Sequence, residues 1–296
     1  MKNIVPHLWF DKEALEAVEL YMSLFEDSRI LRDIVIEGTP SGDARILAFQ
    51  LAGQEFSAIN AGPYFTFNPS VSFMVACATE EELRRMWTAL TEKGRILMPL
   101  EKYDFSPLYG WVEDRFGLSW QLSLQEGGEI RQKIVPNLLF SREVCGKAEE
   151  ALKFYTEVFP HSQLTFLSRY GEKESQSPLA KVNYAEVNLH GYVLSAMDNA
   201  MDADYTFSEA ISFMVNCEGQ EEIDEYWDKL SAVPEAEQCG WIKDRYGLSW
   251  QIVPADFDDI YVVGTPEEIT RVTQSLLSMK KLDLAALERA RLGIPE

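Results

Sequence analysis

The sequence of 296 residues has few of the residue types that would mark a particular site or compartment. It contains three histidines and four cysteines, and no two cysteines form a CxxC pair. No apolar run approaches the roughly 18 residues that a transmembrane helix needs. The first residues also lack the apolar stretch of a signal peptide. These shortages predict a cytoplasmic protein whose cysteines are reduced and buried.

Basic residues are also scarce. There are 27 lysines and arginines against 48 aspartates and glutamates, which gives a formal net charge of −21. Because no cluster of basic residues interrupts this acidity, phosphate backbones and anionic membrane surfaces would be repelled, and we exclude both as partners. The 46% of apolar residues is typical of a globular protein, and the length is sufficient for two domains.

One stretch of twelve residues occurs twice. Gly110–Gln121, read as GWVEDRFGLSWQ, returns 130 residues later as GWIKDRYGLSWQ, Gly240–Gln251. An echo of this length indicates an internal repeat. Each copy reads as a hairpin with glycine in its turn, and alternation along the second strand places Trp120 on one face and Gln121 on the other. If the tryptophan face is core, Gln121 and Gln251 face whatever cavity the sheet encloses.

The hydrophobic periodicity divides the chain into four β-α-β-β-β units, two in residues 1–124 and two in residues 131–254. The pattern predicts an α+β fold with two similar domains, residues 1–127 and 128–254. The second copy lacks a counterpart of Met98–Tyr109, so its last unit should have a shortened edge strand and the two cavities should differ.

Residues 255–296 are not repeated and are predicted to form C-terminal helices. Thr265 and Glu268 form a capping box around Pro266, which is typical of a helix start. The apolar stripes of these helices require a cover. They either pack on their own domain or form a contact between two copies of the chain.

Several motifs resemble those of one superfamily. They are Pro6–Phe10, Asn60–Pro63, Ser72–Val75, Met98–Ser106 and the repeated Gly110–Gln121 stretch. Together they resemble the PhnB-like (3-demethylubiquinone methyltransferase-like) branch of the vicinal oxygen chelate, or glyoxalase/bleomycin-resistance, superfamily, over nearly the whole chain.

This resemblance implies two glyoxalase/bleomycin-resistance-like domains that form an internal pseudo-dimer, with further homodimerisation open. In the superfamily, paired units curl into a cleft, within one copy or between copies. Inward His and Glu side chains there bind a divalent metal that chelates neighbouring oxygens of the substrate.

The ligand positions of the superfamily are altered in this chain. By spacing, the first-strand ligand position falls on Pro6 and Pro136, and the last-strand position falls on Gln121 and Gln251. His7 is adjacent to the first position and is therefore predicted to point to the opposite strand face. We expect no cofactor and no metal, with an atypical divalent-metal site as the alternative.

The candidate ligand-binding residues combine polar groups expected near a cleft with two aromatic linkers. The two glutamines either present a hydrogen-bonding group to the ligand or bond to neighbouring backbone. The linker aromatics either wall a cleft or brace two units. The full set is Gln121, Gln251, Asn60, Asp198, Phe65, Phe67, Tyr205 and Phe207.

Two further sets of repeated residues have structural interpretations. Asp114 and Asp244 are expected to bond the backbone across their hairpin turns. The tryptophans of the repeated stretch are expected in the core rather than as ligand platforms; they are Trp111, Trp120, Trp241 and Trp250.

The leading functional hypothesis is a protein that binds a small organic molecule in a sheet-lined cleft without the usual metal. The alternative is a metal-dependent lyase, isomerase or dioxygenase of the same superfamily with atypical ligands. A methyltransferase is disfavoured, because the chain has neither a glycine-rich turn after its first strand nor a parallel α/β pattern for a nucleoside-bearing methyl donor. The sequence does not decide whether the protein is catalytic.

Overall fold

The structure, a computed structural model, describes residues 1–39, 42–127, 130–171, 174–255 and 257–294. Within these residues the chain forms two mixed sheets, of seven and eight strands, with helices packed against them. The predicted α+β class is confirmed. No helix in this described part of the chain is long and apolar enough to cross a membrane.

The first sequence repeat contains two β-α-β-β-β units. Unit 1 comprises β1 Ile4–Phe10, α1 Ala14–Leu24, β2 Arg29–Thr39, β3 Gly42–Leu51 and β4 Gln54–Asn60. Unit 2 comprises β5 Val71–Cys77, α2 Glu80–Thr91, β6 Arg95–Tyr103, β7 Ser106–Glu113 and β8 Ser119–Leu124.

The second sequence repeat has the same order with three changes, one of which is that unit 4 has no strand corresponding to β6. Unit 3 comprises β9 Ile134–Phe140, α3 Ala148–Val158, β10 Gln163–Arg169, β11 Val182–Leu189 and β12 Tyr192–Asp198. Unit 4 comprises β13 Ile211–Cys217, α4 Gln220–Leu230, β14 Trp241–Lys243 and β15 Ser249–Pro254. A 3₁₀ turn at Arg142–Val144 occupies the insertion after β9, and the three-residue β14 is the predicted shortened edge strand.

Three helices follow the repeats. They are α5 Asp259–Val263, α6 Pro266–Ser278 and α7 Leu284–Leu292. The predicted capping box starts α6, since the Thr265 hydroxyl accepts from the Glu268 amide and the Glu268 carboxylate accepts from the Thr265 amide.

The sheets do not follow the two sequence repeats. The seven-stranded sheet has the order β14-β15-β13-β1-β4-β3-β2 and joins unit 1 to unit 4. The eight-stranded sheet has the order β10-β11-β12-β9-β5-β8-β7-β6 and joins unit 2 to unit 3. Each sheet therefore takes one unit from each repeat. The bounds 1–127 and 128–254 stay a prediction about the sequence repeat, and Gly128, where the second begins, lies outside the described residues.

One face of each sheet contributes to a shared core. On β1, Ile4, Leu8 and Phe10 point into this core, which contains the helices α1 to α4. On β8, Trp120 is 1% exposed, and Tyr21 of α1 packs edge-on against it at 5.1 Å between ring centroids. The opposite face of each sheet lines a cleft.

A buried aspartate joins the two units of each repeat. Asp114 accepts from the amides of Phe116 and Leu118 in its own turn, as predicted, and also from the Tyr21 hydroxyl at 2.7 Å and the Trp120 indole at 3.0 Å. Burial raises the pKa of Asp114, while these hydrogen bonds act to lower it. Asp114 thus connects α1 of unit 1 to the β7–β8 turn of unit 2, across the two sheets.

The second repeat forms the same connection. Asp244 accepts from the amides of Tyr246 and Leu248, from the Tyr155 hydroxyl at 2.8 Å and from the Trp250 indole at 2.9 Å. The repeated DR-aromatic-GLSW stretch is therefore explained by core architecture rather than by a ligand site.

Candidate functional site

The two clefts have equivalent centres. In the seven-stranded sheet β1 pairs antiparallel with β13, and His7 lies opposite Ser212. In the eight-stranded sheet β9 pairs antiparallel with β5, and Asn137 lies opposite Ser72. The repeat therefore builds the same framework twice, with a histidine at one centre and an asparagine at the other.

The cleft of the eight-stranded sheet, called here the open cleft, has a volume of about 620 Å³. Its walls are mainly aromatic rings and methionines, and none of its described lining residues is charged at neutral pH. The lining consists of Met74, Met98, Phe105, Tyr109, Trp111, Gln121, Ser123, Asn137, Leu139, Phe166, Ser168, Tyr170, Asn183, Tyr184 and Met197.

Gln121 lies on this cleft, as predicted, and both of its polar atoms are engaged. Its Oε1 accepts from the Tyr109 hydroxyl at 2.6 Å, and its Nε2 donates to the Ser72 hydroxyl at 2.7 Å. The partners are side chains, so the alternative of a glutamine bonded to backbone is wrong here. Gln121 therefore fixes Tyr109 in the wall of the open cleft. The unpaired polar atoms of this cleft belong to Asn137 and Asn183.

Asn137 and Asn183 each have one buried polar atom without a partner. The Ser195 hydroxyl lies 3.1 Å from both Asn137 Oδ1 and the Pro136 carbonyl oxygen, and Asn137 Nδ2 is unpaired. Asn183 Oδ1 is likewise buried and has no hydrogen-bond partner among the described residues. A buried amide atom without a partner costs free energy, and a bound ligand can supply the partner. The open cleft thus presents one free donor and one free acceptor.

The Glu186 carboxylate contacts the open cleft through Tyr184, which is one of its lining residues. The Tyr184 hydroxyl donates to Glu186 Oε1 at 2.5 Å, and Glu186 is not itself among the described lining residues. Burial and this carboxylate raise the pKa of Tyr184 well above its usual range. The Tyr184 hydroxyl therefore keeps its proton at neutral pH.

The cleft of the seven-stranded sheet, called here the covered cleft, is partly covered by the C-terminal helices. Val272, Leu282 and Leu287 form a small cluster with Val253 of β15, and Leu276 packs against it. A cavity of about 310 Å³ remains beneath the helices. The first alternative for the C-terminal helices, packing on their own chain, is therefore the observed one.

His7 is the central polar residue of the covered cleft. It is 5% exposed, its Nδ1 has no hydrogen-bond partner among the described residues, and Trp241 packs edge-on against its ring at 5.4 Å. Burial lowers the pKa of His7 from 6.5 to about 3, so the imidazole is neutral at physiological pH. Gln251 lines the same cavity and donates through Nε2 to the Ser212 hydroxyl at 2.9 Å.

The donor sets of both clefts do not fit the divalent metal of the superfamily. Such a metal prefers imidazole and carboxylate ligands, usually three from the protein. The open cleft offers amides and hydroxyls, with both polar atoms of Gln121 already bonded. The covered cleft is lined by His7, Cys239, Gln251 and Asp258. In the part of the chain that the structure describes, no three His, Cys, Asp or Glu side chains group closely enough to hold a metal ion.

Asn60 and Asp198 occupy helix starts instead of ligand positions. Asn60 Oδ1 accepts from the Ala14 amide at the first residue of α1. Asp198 Oδ1 accepts from the amides of Gly146 and Ala148 at the start of α3, and its Oδ2 accepts from two amides of the segment that leads into β11. Anionic or amide oxygens at these positions satisfy backbone donors that a helix leaves unpaired.

The aromatic linkers brace the fold. Phe67 packs edge-on against Phe10 at 5.0 Å, and Phe207 packs in the same way against Phe140 at 5.1 Å. The Phe65 ring packs edge-on against the Trp9 ring at 4.9 Å between centroids, and Trp9 lines the covered cleft.

Tyr205 is the remaining linker residue of the candidate set. It is half-buried, and burial and the nearby Glu113 carboxylate raise its pKa. It is not among the described lining residues of either cleft. Of the two alternatives for the linkers, bracing is what these contacts show.

Two orientation predictions are wrong. His7 lies on the cleft face, whereas Pro6 shares the core face with Ile4 and Leu8, because these apolar neighbours decide which face is buried. The same inversion applies to Pro136 and Asn137 on β9.

The prediction that all four tryptophans of the repeated stretch are core holds for Trp120 and Trp250 alone. Trp111 lines the open cleft, where its indole donates to the Ser119 hydroxyl at 2.7 Å. Trp241 lines the covered cleft.

Sequence reasoning missed most of the open cleft. The position of Asn137 follows from alternation about Leu138, which is fully buried, and that of Met74 follows from Phe73 in the same way. Asn183 and Tyr184 have no comparable signal, because β10 and β11 pair with register shifts that break the alternation.

Comparisons with known proteins agree with the duplicated arrangement of units described above. A family model described as 3-demethylubiquinone-9 3-methyltransferase matches twice, over residues 2–123 and 132–253. The chain belongs to this PhnB-like family. The predicted resemblance to this family and the predicted tandem arrangement are confirmed. No curated protein matches the chain.

Among solved structures, a putative 3-demethylubiquinone-9 3-methyltransferase (PhnB protein) from Bacillus cereus is 38% identical over 42% of this chain and 100% of its own, with a TM-score of 0.40. Glyoxalase I from Zea mays is 11% identical over 89% of this chain and 98% of its own, with a TM-score of 0.55. The latter similarity shows a shared duplicated fold.

Proposed function

We propose that this PhnB-like protein binds a neutral, flat organic molecule in the open cleft and does so without a divalent metal. The observation that carries the proposal is the pair of unpaired amide atoms, Asn137 Nδ2 and Asn183 Oδ1, in an uncharged aromatic cleft. Apolar pockets with a few convergent polar groups are the usual form of small-molecule sites, and about 620 Å³ lies within their size range of roughly 300–1,000 Å³.

The chemistry of the cleft restricts the ligand class. Without a charged partner in the wall, an ionised ligand would lose its hydration and gain no counter-charge. A ligand oxygen that accepts from Asn137 and a hydroxyl or N–H that donates to Asn183 would satisfy both orphan groups. Catechols are neutral rings with neighbouring oxygens and can do both, whereas methoxy-substituted benzoquinones supply acceptors for Asn137 alone. The quinone in the printed name of the family belongs to the same chemical class.

Thermal-shift and calorimetric titration of the full chain with catechol and 2-methoxybenzoquinone would test this proposal. Binding should raise the melting temperature by mass action, and EDTA should leave the rise unchanged. Asn137→Leu should weaken binding by about tenfold, the value of one net hydrogen bond. With 2-methoxybenzoquinone, which has no hydroxyl, His7→Leu at the equivalent position of the other sheet is the matched control and should bind as the wild type does.

Three results would contradict the proposal. The first is no shift with either probe. The second is equal binding by Asn137→Leu. The third is binding only after Mn²⁺ or Ni²⁺ is added, which would favour the metal-dependent alternative. Saturable binding of S-adenosylmethionine would instead support the methyl transfer in the family's printed name.

A further inference from the structure

We propose that the covered cleft is a second, separate ligand site, in which the C-terminal helices are a lid that itself contacts the ligand. The ligand class is a neutral monocyclic aromatic alcohol. This inference goes beyond the proposed function, because it concerns the other sheet and depends on residues 257–294, which follow the second family match.

The cavity under the helices is larger than a packing defect. At about 310 Å³ it exceeds the roughly 150 Å³ of an engineered apolar cavity that binds benzene. The rings of Trp9 and Trp241, 6.1 Å apart and close to perpendicular, line one side, and Ile46 and Leu276 add aliphatic surface.

Two unpaired polar atoms belong to residues that line this cavity, one from the sheet and one from the lid. His7 Nδ1 comes from β1, and Thr273 Oγ1 comes from α6; both atoms are buried and have no partner among the described residues. Because the imidazole is neutral, its Nδ1 either accepts or donates a hydrogen bond according to tautomer. A ligand hydroxyl can serve His7 in either case and can also pair with the Thr273 hydroxyl. Asp258 lines the same cavity, which disfavours an anion.

The lid is attached to the sheet at both ends. Next to α7, the amides of Cys239 and Gly240 donate to the carbonyls of Met279 and Lys280, and Gln220 bonds to the backbone of Leu282. These contacts, together with the buried Leu282, anchor the C-terminal end of the lid.

At the α5 end, an ion pair between Arg32 and Asp259 at 2.5 Å joins the lid to β2, and both side chains are substantially exposed. An exposed pair of this kind contributes about 0–1 kcal/mol. At the same end Phe257 and Ile260 pack against the lid cluster, and α5 follows β15 directly in the chain, so the lid stays in place and a ligand enters through the open part of the cavity.

Calorimetric titration of the full chain with phenol tests the inference. The wild type should bind phenol, and Thr273→Val should weaken this binding by about tenfold. Valine has the shape of threonine and removes a hydroxyl that has no partner, so the melting temperature of the unliganded variant should be unchanged or higher. His7→Leu should weaken binding as well, while Asn137→Leu, its counterpart in the open cleft, should retain this site. If phenol enters both clefts, the wild type should take two equivalents and each variant should lose one.

The inference would be overturned if phenol did not bind, if Thr273→Val bound phenol with full affinity, or if Asn137→Leu alone abolished binding. These outcomes concern Thr273 and His7. They are therefore distinguishable from failure of the proposed function, which depends on Asn137 and Asn183.

Discussion

The two clefts share one framework and differ in what occupies it. Each is centred on an antiparallel pair between the first strands of two units, with a serine and a glutamine at matching positions. The open cleft keeps a full edge strand, β6, and free space above the sheet. The covered cleft has the three-residue β14 and the C-terminal helices instead. Duplication therefore preserved the core, while the two concave faces differ in their lining and cover.

The difference also shows which polar groups are structural. Asp114 and Asp244 have matching partners in both repeats, so they serve the common core. His7 and Asn137 occupy equivalent positions but have different chemistry. Variation at an otherwise equivalent position is what we expect where two clefts serve different ligands.

The largest expected effect tests the equivalence of the two cores. Asp244→Ala should lower the free energy of unfolding by about 3–5 kcal/mol, because the Tyr155 hydroxyl and the Trp250 indole would be left buried without an acceptor. Asp114→Ala should cost a similar amount. Urea unfolding of both variants measures this, and costs that differ by more than about 2 kcal/mol would show that the two cores are not equivalent.

A smaller effect tests what the lid contributes. Leu282 is 1% exposed in the lid cluster, so Leu282→Ala should lower the free energy of unfolding by about 2–4 kcal/mol through lost burial and a new cavity. Leu292→Ala, on the exposed side of α7, is the control and should change it by less than about 0.5 kcal/mol. Equal costs in urea unfolding would mean that the lid is not packed on the sheet as described.

The smallest effect separates the two central residues by pH. The pKa of His7 is about 3 in the folded chain and 6.5 in the unfolded chain, so below pH 6.5 the unfolded chain binds a proton that the folded chain does not. Stability is therefore lost as the pH falls from 6.5 towards 3. His7→Asn, which copies the open cleft, should remove this loss. Relative to the variant, the wild type should lose about 2 kcal/mol between pH 7 and pH 5. A difference in urea unfolding that is the same at both pH values would refute the prediction.

The sequence predicted the repeated elements well because they depend on local information. Alternation placed Trp120 in the core and Gln121 on the cleft, and the capping box located the start of α6. Orientations that were predicted by counting residues along the chain, and not from the apolar neighbours, were wrong. Pro6 was placed on the cleft face although Ile4 and Leu8 determine that its face is buried.

The candidate ligand residues were predicted less well, because a polar side chain at a strand end has several possible partners. Asn60 and Asp198 were predicted near a ligand, and the amides at the starts of α1 and α3 are their partners instead. Asn183 could not be found, since the register shifts that orient it arise only when β10 pairs with β11.

By itself the sequence determined that the chain holds four units, three of them β-α-β-β-β, that they form two copies and that the last unit is shortened at its edge. These features depend on periodicity and spacing within some 60 residues of chain. The tertiary structure alone decided that unit 1 shares a sheet with unit 4 and unit 2 with unit 3, and that the C-terminal helices cover one cleft and leave the other open. The physical reason is that all four units have the same apolar pattern. Their choice of partner depends on the summed packing of surfaces that are far apart along the chain, which no local pattern records.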